Sequence, residues 1–492
     1  MNEAQTIKAQ VQPITECKNL INGEAFGSDS VLPVYNPATS EQIAALHEAD
    51  AQIVDRAVSA AQKSFQSGVW RDLTVEERQS VLRKIAQLVD EHAETLAGLE
   101  CLNTGIPYAH LLAGQIRRVA LNFRFFADYI GQSEGDLYTQ NPDYLTYVRR
   151  DPVGVCALVG PWNAPLALTT MKLAAALAFG NSCVVKASEQ TPMTLLALMP
   201  LLQQAGVPDG VVNVVNGSGV VTGAALSAHA GIARISFTGG TQTGKQIMTL
   251  AAQNLTPVTM ELGGKSAAIV MPDADLDNFM ESVRWGIYFN AGQVCSAMSR
   301  VIAHEDIHDE IIDRCVALAE GLSVGPGIDR TDFGANMGAM VSDPQRDRAE
   351  GLVEAAAAEG ASIATGGRRL NLPGSLFAPT VISDVTPDMQ IAGTEVFGPV
   401  LSILKTNSEA QAIDIANSTE YGLVGGIFTA DIDAAHRAAR RIRAGQIFIN
   451  EWFAGGVETP FGGYGKSGYG REKGREALWN YVQTKNIAYR TR

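Results

Sequence analysis

The sequence has no cysteine pair at CxxC spacing and no HExxH. No apolar run approaches the ~20 residues that a membrane helix needs. The six cysteines (Cys17, Cys101, Cys156, Cys183, Cys295 and Cys315) are scattered through 492 residues. A chain this long needs no disulfide staples, so the pattern fits free thiols in a reducing compartment. The seven histidines are equally dispersed, and no bound metal is expected. Basic residues are also short, with 38 Lys and Arg against 52 Asp and Glu for a net charge of -14. Such a chain repels phosphate backbones and anionic membranes, which disfavours nucleic acid and membrane surfaces as partners. The N-terminal stretch MNEAQTIKAQVQPITECKNL lacks the apolar core of a signal peptide. Together these absences predict a cytoplasmic protein.

What is present is an ordinary globular balance, 46% hydrophobic and 18% charged, in a chain long enough for two or three domains. Residues 51–130 read as helical. In TVEERQSVLRKIAQLVDEHAETLAGL, Thr74 and Glu77 have capping-box spacing. Val81, Ile85, Leu88 and Val89 then form one apolar face. Near residue 144 the texture becomes extended. The short apolar runs NSCVVK, VVNVVN and IARISF then alternate with Ala/Leu-rich helical segments. Strand–helix alternation predicts a parallel sheet covered on both faces. A second alternating region starts near 265, with strands in SRVIAHE, PVLSILK, GGIFTA and GQIFIN and helices over 307–322 and 431–442. A short helix is predicted near 473–480, then a terminal strand, VQTKNIAYR, which needs a sheet to join. The longest loop-like stretch is 325–340.

Several turns could carry chemistry. AGQVCSA (291–297) sets Cys295 among small and polar residues, although a free cysteine is commonly a small buried hydrophobe. VVNGSG (214–219) and SFTGGTQTG (236–244) are glycine-rich turns after strands, where a backbone can approach a phosphate at a helix N-terminus. Neither contains GxGxxG, and such turns also occur without a ligand. Lys186 and Glu189 in VVKASE end another strand, where an open sheet presents ligand contacts and a carboxylate can accept ribose hydroxyls. An acid at a helix N-terminus fits the same pattern. In PWNAP (161–165), two prolines hold Asn163 on a rigid turn, as a donor to a developing oxyanion or simply as a turn cap. Glu261 precedes a Gly-Gly turn in MELGGK, either as a base in an apolar setting or as a surface acid. EVFGPV (395–400) puts an acid and an aromatic beside a Gly-Pro turn. PFGGYGKSGYGRE (460–472) has glycine at five of thirteen positions, which suggests a loop shaped around a ligand.

In this order, PWNAP, KASEQTP, FTGG, MELGGK, GQVC, EVFGPV and PFGG followed by SGYGRE resemble the NAD(P)-dependent aldehyde dehydrogenase superfamily. The resemblance runs from NGEAF (22–26) and NPAT (36–39) to the C-terminus. It implies an α/β aldehyde dehydrogenase-like fold of three parts. These are a Rossmann-like cofactor domain (1–130 and 152–262), an α/β catalytic domain (263–470) and a small β bridge (131–151 and 480–492) that pairs subunits into a homodimer or homotetramer. Cys295 matches the nucleophile and Glu261 the general base that activates water against a thioester. Asn163, with the Cys295 backbone N–H, matches the oxyanion donors, and Lys172 a supporting lysine. For the cofactor, the resemblance implies contacts from Trp162, Lys186, Ser188, Glu189, Gly219, Phe237, Thr238, Gly239, Gly240, Leu262, Glu395 and Phe397. Glu189 would repel a 2′-phosphate, favouring NAD over NADP. Many members carry serine at Gly240, so one side-chain contact is lost here.

The resemblance places the aldehyde tunnel near Arg118, Trp162, Ala164, Ala167, Leu168, Met171, Gly455 and Phe461, with Val294 and Ser296 flanking the cysteine. Aromatics that many members carry at Ala164, Met171 and Gly455 are missing, which implies a wide tunnel. A bulky or aromatic aldehyde fits, as does a semialdehyde whose carboxylate meets Arg118. Arg118 also reads as a solvated helix arginine. A coenzyme A-acylating enzyme, a non-enzymatic structural member and a cofactor-free thiol esterase are the competing readings. Glu261 argues against the first, the retained cysteine and base against the second, and the cofactor motifs against the third.

Overall fold

The computed structural model describes residues 11, 13–329 and 336–491. Most of the polar N-terminal run up to residue 10, and residues 330–335 of the 325–340 loop, lie outside the described residues.

Two large sheets organise the chain. The first has eight strands in the spatial order 468–469, 258–261, 234–238, 155–159, 182–186, 212–214, 19–21 and 24–26. Its five central strands are parallel, and antiparallel strands close both edges. The strands Val155–Val159 and Ser182–Lys186 are buried at every position, which is why they read as continuous apolar runs rather than alternating ones. The second sheet has seven strands in the order 362–365, 380–383, 400–406, 300–304, 267–270, 424–428 and 446–449. It is parallel except at 362–365.

Helices cover the first sheet on both faces. Asp50 caps the helix Ala51–Ser67 by accepting from the backbone N–H groups of Gln52 and Ile53. The Thr74–Glu77 capping box forms reciprocally at the start of Val75–Glu91. That helix buries Leu82, Ile85, Leu88 and Val89, with Val81 half-buried at the margin. Pro165 opens the almost wholly buried helix Pro165–Ala178 at its first turn, where its missing N–H costs nothing. Trp70, 1% exposed, donates its indole N–H to the Leu177 carbonyl at 2.9 Å and ties the N-terminal helices to this one.

The terminal strand Val482–Arg490 pairs antiparallel with Tyr144–Pro152 along its full length, and Leu137–Tyr138 adds a third strand. The partner of VQTKNIAYR is therefore in its own chain. The short helix expected near 473–480 forms over 475–481, as a 3₁₀ turn at Arg475–Ala477 that runs into a helix at Leu478–Tyr481, and it starts two residues late. The reason is local: Lys473 and Gly474 sit at φ values of 60° and 57°, and left-handed backbone cannot start a right-handed helix. The 325–340 stretch is not all loop, since Asn336–Met337 pairs with Ser323–Val324. Within the stretch expected in the catalytic part, 468–469 joins the edge of the first sheet beside 260–261.

The Trp70 bond generates a prediction. Trp70→Phe removes this bond while the Leu177 carbonyl keeps the Gly180 N–H at 3.0 Å, at a cost of about 0.5–1.5 kcal/mol. Calorimetry should show a lower unfolding midpoint, and an unchanged midpoint would contradict the tie.

Candidate active site

The motif residues gather because of which strand ends face each other. In the first sheet, residues 160–163, 186–189, 238–240 and 261 all lie at the carboxyl ends of parallel strands. In the second, Gly264, Cys295 and Glu395 all precede the strands that begin at 267, 300 and 400. The carboxyl edge of one sheet thus meets the amino edge of the other. Strand 155–159 lies between 182–186 and 234–238, so the chain order reverses there. Such a switch point is where open α/β sheets take ligands. Trp162, Asn163 and Phe237–Gly240 flank it.

Asn290, Ala291 and Gly292, at φ 50°, 50° and 70°, make a left-handed turn just before Cys295. A Cβ on Gly292 would stand 2.0 Å from the Gly398 carbonyl oxygen, so only glycine lets the cysteine loop seat against the EVFGPV turn. A Cβ on Gly264 would stand 2.7 Å from the Cys295 carbonyl oxygen. Gln293 is buried and links this loop to its surroundings. Its carbonyl accepts from the Asn163 amide at 2.8 Å, and its side-chain oxygen accepts from the Val341 N–H at 2.8 Å. Asn290 donates to the Asn163 backbone carbonyl at 2.7 Å. The Asn163 amide is therefore fixed by one bond, with its second N–H still to give.

Cys295 is half-buried, and the other five cysteines are buried; all six are free. Loss of water pushes the Cys295 thiol up to about 12, with the carboxyls of Glu261 and Glu395 adding to the effect. The backbone N–H groups of Ser296 and Cys295 oppose it. Glu261 is 2% exposed, and neither of its carboxyl oxygens has a hydrogen-bond partner. Burial, then the like charge of Glu472, drives its pKa well above the ordinary carboxyl range. Gly462 is so close that a Cβ there would stand 2.8 Å from Glu261 Oε1. Lys172 lies deeper. Its Nζ donates to Glu472 Oε1 and to Ser236 Oγ, both at 3.0 Å, and the Lys172–Glu472 pair is fully buried.

At the second-sheet side, Glu395 Oε1 accepts from the Gly264 N–H at 2.9 Å, and burial raises Glu395 to about 7. Trp162 and Phe397 meet edge to face at 5.1 Å, which joins the PWNAP and EVFGPV turns. Along the first-sheet edge, Lys186 Nζ donates to the Ala187 carbonyl at 3.0 Å and stands 3.7 Å from Glu189 Oε2. Ser188 Oγ accepts from the Gln190 N–H. Gly219 and Gly240 have open space where a Cβ would be, whereas Gly239 lies against the Phe237 ring. Gly240 starts the helix Thr241–Ala252 with no side-chain cap, and the buried Thr238 hydroxyl has no partner. Leu262 fills the contact that Gly244 opens on that helix.

The residues expected around a tunnel spread over several elements. Ala164, Ala167 and Met171 are buried on or beside the helix Pro165–Ala178, with Leu168 half-buried. Val294 is half-buried, and the Ser296 carbonyl accepts from the Trp452 indole N–H at 3.0 Å. Phe461 is half-buried, while Gly455 is exposed at φ 88°. Arg118 is no solvated helix arginine: it is half-buried, and its Nε has no partner. Gln293, Glu458, Glu472 and Lys473 belong to this neighbourhood, yet the sequence offered no role for them. Their only signal was membership of GQVC or nearness to the glycine-rich 460–472 segment. Among the described residues, no three histidine, cysteine or acidic side chains gather as a metal site.

Two α/β sheets that meet at a cysteine, a buried carboxyl and a glycine-rich edge define an enzyme of the dinucleotide-dependent type. The aldehyde dehydrogenase family model matches residues 25–487. The chain is 41% identical to cytosolic aldehyde dehydrogenase 1 of Mus musculus, over 96% of this chain and 95% of that one. It is 40% identical to retinal dehydrogenase 2 of Homo sapiens, over 96% of this chain and 91% of that one. An NAD+ complex of aldehyde dehydrogenase from Bacillus cereus superimposes with a TM-score of 0.95 at 39% identity, covering 100% of this chain and 99% of that one. A betaine aldehyde dehydrogenase from Staphylococcus aureus in complex with NAD+ gives a TM-score of 0.94 at 36% identity, covering 100% and 97%. The chain belongs to the aldehyde dehydrogenase family and is an oxidoreductase acting on aldehydes.

The buried charges yield a pH prediction. Glu261 can act as a base only as a carboxylate, above its raised pKa. Glu472→Gln removes the like charge, so the pKa falls and the alkaline rise in turnover should move to lower pH. Breaking the pair with Lys172 should also cost about 3–5 kcal/mol of stability. A pH–rate profile that stays in place or moves upward would contradict the coupling.

Proposed function

We propose that the protein oxidises an aldehyde to the carboxylic acid with NAD, through a covalent bond to Cys295. The observation that carries this reading is the meeting of the half-buried Cys295 thiol with a buried, hydrogen-bond-free Glu261 and a fixed Asn163 amide.

The cofactor fits the first-sheet edge. Gly219 and Gly240 leave their backbones open to a pyrophosphate, and the uncapped N-terminus of Thr241–Ala252 favours negative charge there. Lys186, Ser188 and Glu189 would hold the adenosine ribose, where Glu189 favours the 2′-hydroxyl of NAD over the 2′-phosphate of NADP. Trp162, Phe237, Thr238, Gly239 and Leu262 would line the middle of the site, and Glu395 and Phe397 would hold the nicotinamide end. A bound NAD would supply the hydride acceptor for the carbon attached to the sulfur.

The Cys295 thiol gives up its proton to water, and the thiolate sulfur attacks the aldehyde carbon to form a thiohemiacetal oxyanion. The free N–H of the Asn163 amide and the Cys295 backbone N–H donate to the resulting oxyanion. Oxidation leaves a thioester on Cys295. Glu261, with no hydrogen bond to spend elsewhere, takes a proton from water, which hydrolyses the thioester. Lys172 compensates Glu472 behind Glu261 and supports that step. A water-activating carboxylate favours the free acid over transfer to coenzyme A. Small residues at Ala164, Ala167 and Gly455, with Met171 and Phe461, suit a bulky, aromatic or carboxylated aldehyde.

The first-sheet part serves as the NAD domain and the second-sheet part as the catalytic domain. The three-stranded sheet exposes Leu137, Tyr144, Leu145 and Tyr489, which suits pairing with another copy as a dimer or tetramer. Free cysteines and relatives named as cytosolic support a cytoplasmic setting. No described helix is long and apolar enough to cross a membrane.

Two variants test the chemistry. Cys295→Ser should lose nearly all turnover while still binding NAD, as read by quenching of intrinsic fluorescence. Retained turnover would overturn the assignment. Glu261→Gln should give one rapid turnover of NADH per site and then stall. Undiminished steady-state turnover would remove Glu261 from the hydrolytic role.

A further inference from the structure

Two cations share the electrostatic neighbourhood of the reactive sulfur. Arg118 is the second residue of the helix Arg117–Tyr129, and its Nε is buried without an acceptor. Its guanidinium feels charge at Cys295 and at Glu458. Lys473 is 4% exposed on left-handed backbone at φ 60°. Its ammonium lies 5.2 Å from the centroid of the Phe461 ring and donates to the Gly456 carbonyl at 3.1 Å. It feels Arg118, Glu458, Glu261 and Cys295. Among the described residues, neither cation forms an ion pair. Glu458, the carboxylate in reach of both, instead accepts from the Gly456 N–H at 3.0 Å within its own loop.

Burying two interacting like charges is costly, and burial with repulsion from Arg118 lowers Lys473 to about 8. A pair built to hold Cys295 as thiolate would be expected to pull that thiol down. The groups that pull it down are the backbone N–H groups of Ser296 and Cys295. An anion entering with the substrate would satisfy both cations at once. We propose that the preferred substrate carries a carboxylate at the end remote from the aldehyde, and that Arg118 and Lys473 bind it jointly. This rests on the aldehyde dehydrogenase reading and narrows its substrate from three classes to one. Phe461, under Lys473, and the space left by Ala164 and Gly455 would accommodate the carbon skeleton between the two ends.

The test compares matched aldehydes by kcat/KM with NAD. The pairs are 4-carboxybenzaldehyde with benzaldehyde, and the four- to six-carbon ω-oxo acids with the alkanals of equal length. The methyl ester of 4-carboxybenzaldehyde keeps the shape and removes the charge. The wild-type enzyme should prefer at least one carboxylated member by tenfold or more, and the ester should lose the preference. Arg118→Met and Lys473→Met should each cut that preference at least tenfold, mainly through KM, and Arg118→Lys should restore part of it. No preference in the wild type, an ester as good as the acid, or variants that depress both members of a pair equally would overturn the proposal. Because the ester arm uses only the wild type, the test does not depend on the variants folding. If neutral aldehydes are oxidised without any preference for acids, this inference alone fails. If no aldehyde of either kind reduces NAD, the dehydrogenase reading fails and takes the inference with it.

Discussion

The approach of one backbone turn to another sets the geometry of the whole junction. Asn290, Ala291 and Gly292 turn left-handed and bring residue 292 against the Gly398 carbonyl, closer than any side chain allows. That contact fixes the cysteine loop on the turn that carries Glu395 and Phe397. Asn163, hydrogen-bonded to the Gln293 carbonyl, then fastens the same loop to the carboxyl edge of the other sheet. Thiol, amide and carboxyl come from three distant parts of the chain, and this small set of backbone contacts holds them in one place.

The electrostatics follow from the dryness of that place. Water removal raises Cys295, Glu261 and Glu395 together, so burial opposes the ionised form of each. A single well-compensated pair, Lys172 with Glu472, is buried behind Glu261 and feeds charge into it. The site is thus poised rather than pre-ionised. Ligand charge, oxyanion formation and solvent entry all bear strongly on it, because in so dry a region each charge is weakly screened.

Much of this was legible in the sequence. The parallel strands showed as continuous apolar runs because both of their faces are covered. The capping box at Thr74 and Glu77 formed as its spacing required. The glycine-rich turns marked the strand ends where the two sheets meet. What the sequence concealed is long-range. Gln293 looks like a spacer until its carbonyl meets the Asn163 amide across 130 positions. Glu472 gains its influence only by burial against Lys172, 300 residues away. The helix expected near 473–480 starts two residues late, at Arg475, because Lys473 and Gly474 adopt positive φ, and Lys473 is not glycine. Arg118 lies on a helix whose period alone suggests solvent. Only the fold shows it to be half-buried.

The central claim is that Cys295 carries the substrate as a thioester while Glu261 waits to release it. Peptide-mapped mass spectrometry of the enzyme, acid-quenched during turnover of an oxidisable aldehyde with NAD, tests this most directly. The account predicts an acyl adduct, of the aldehyde mass less two hydrogens, on the peptide containing Cys295 and on no other cysteine peptide. It should persist in Glu261→Gln and decay with water in the wild type. Product formation with no adduct on Cys295 at any quench time in Glu261→Gln would contradict it.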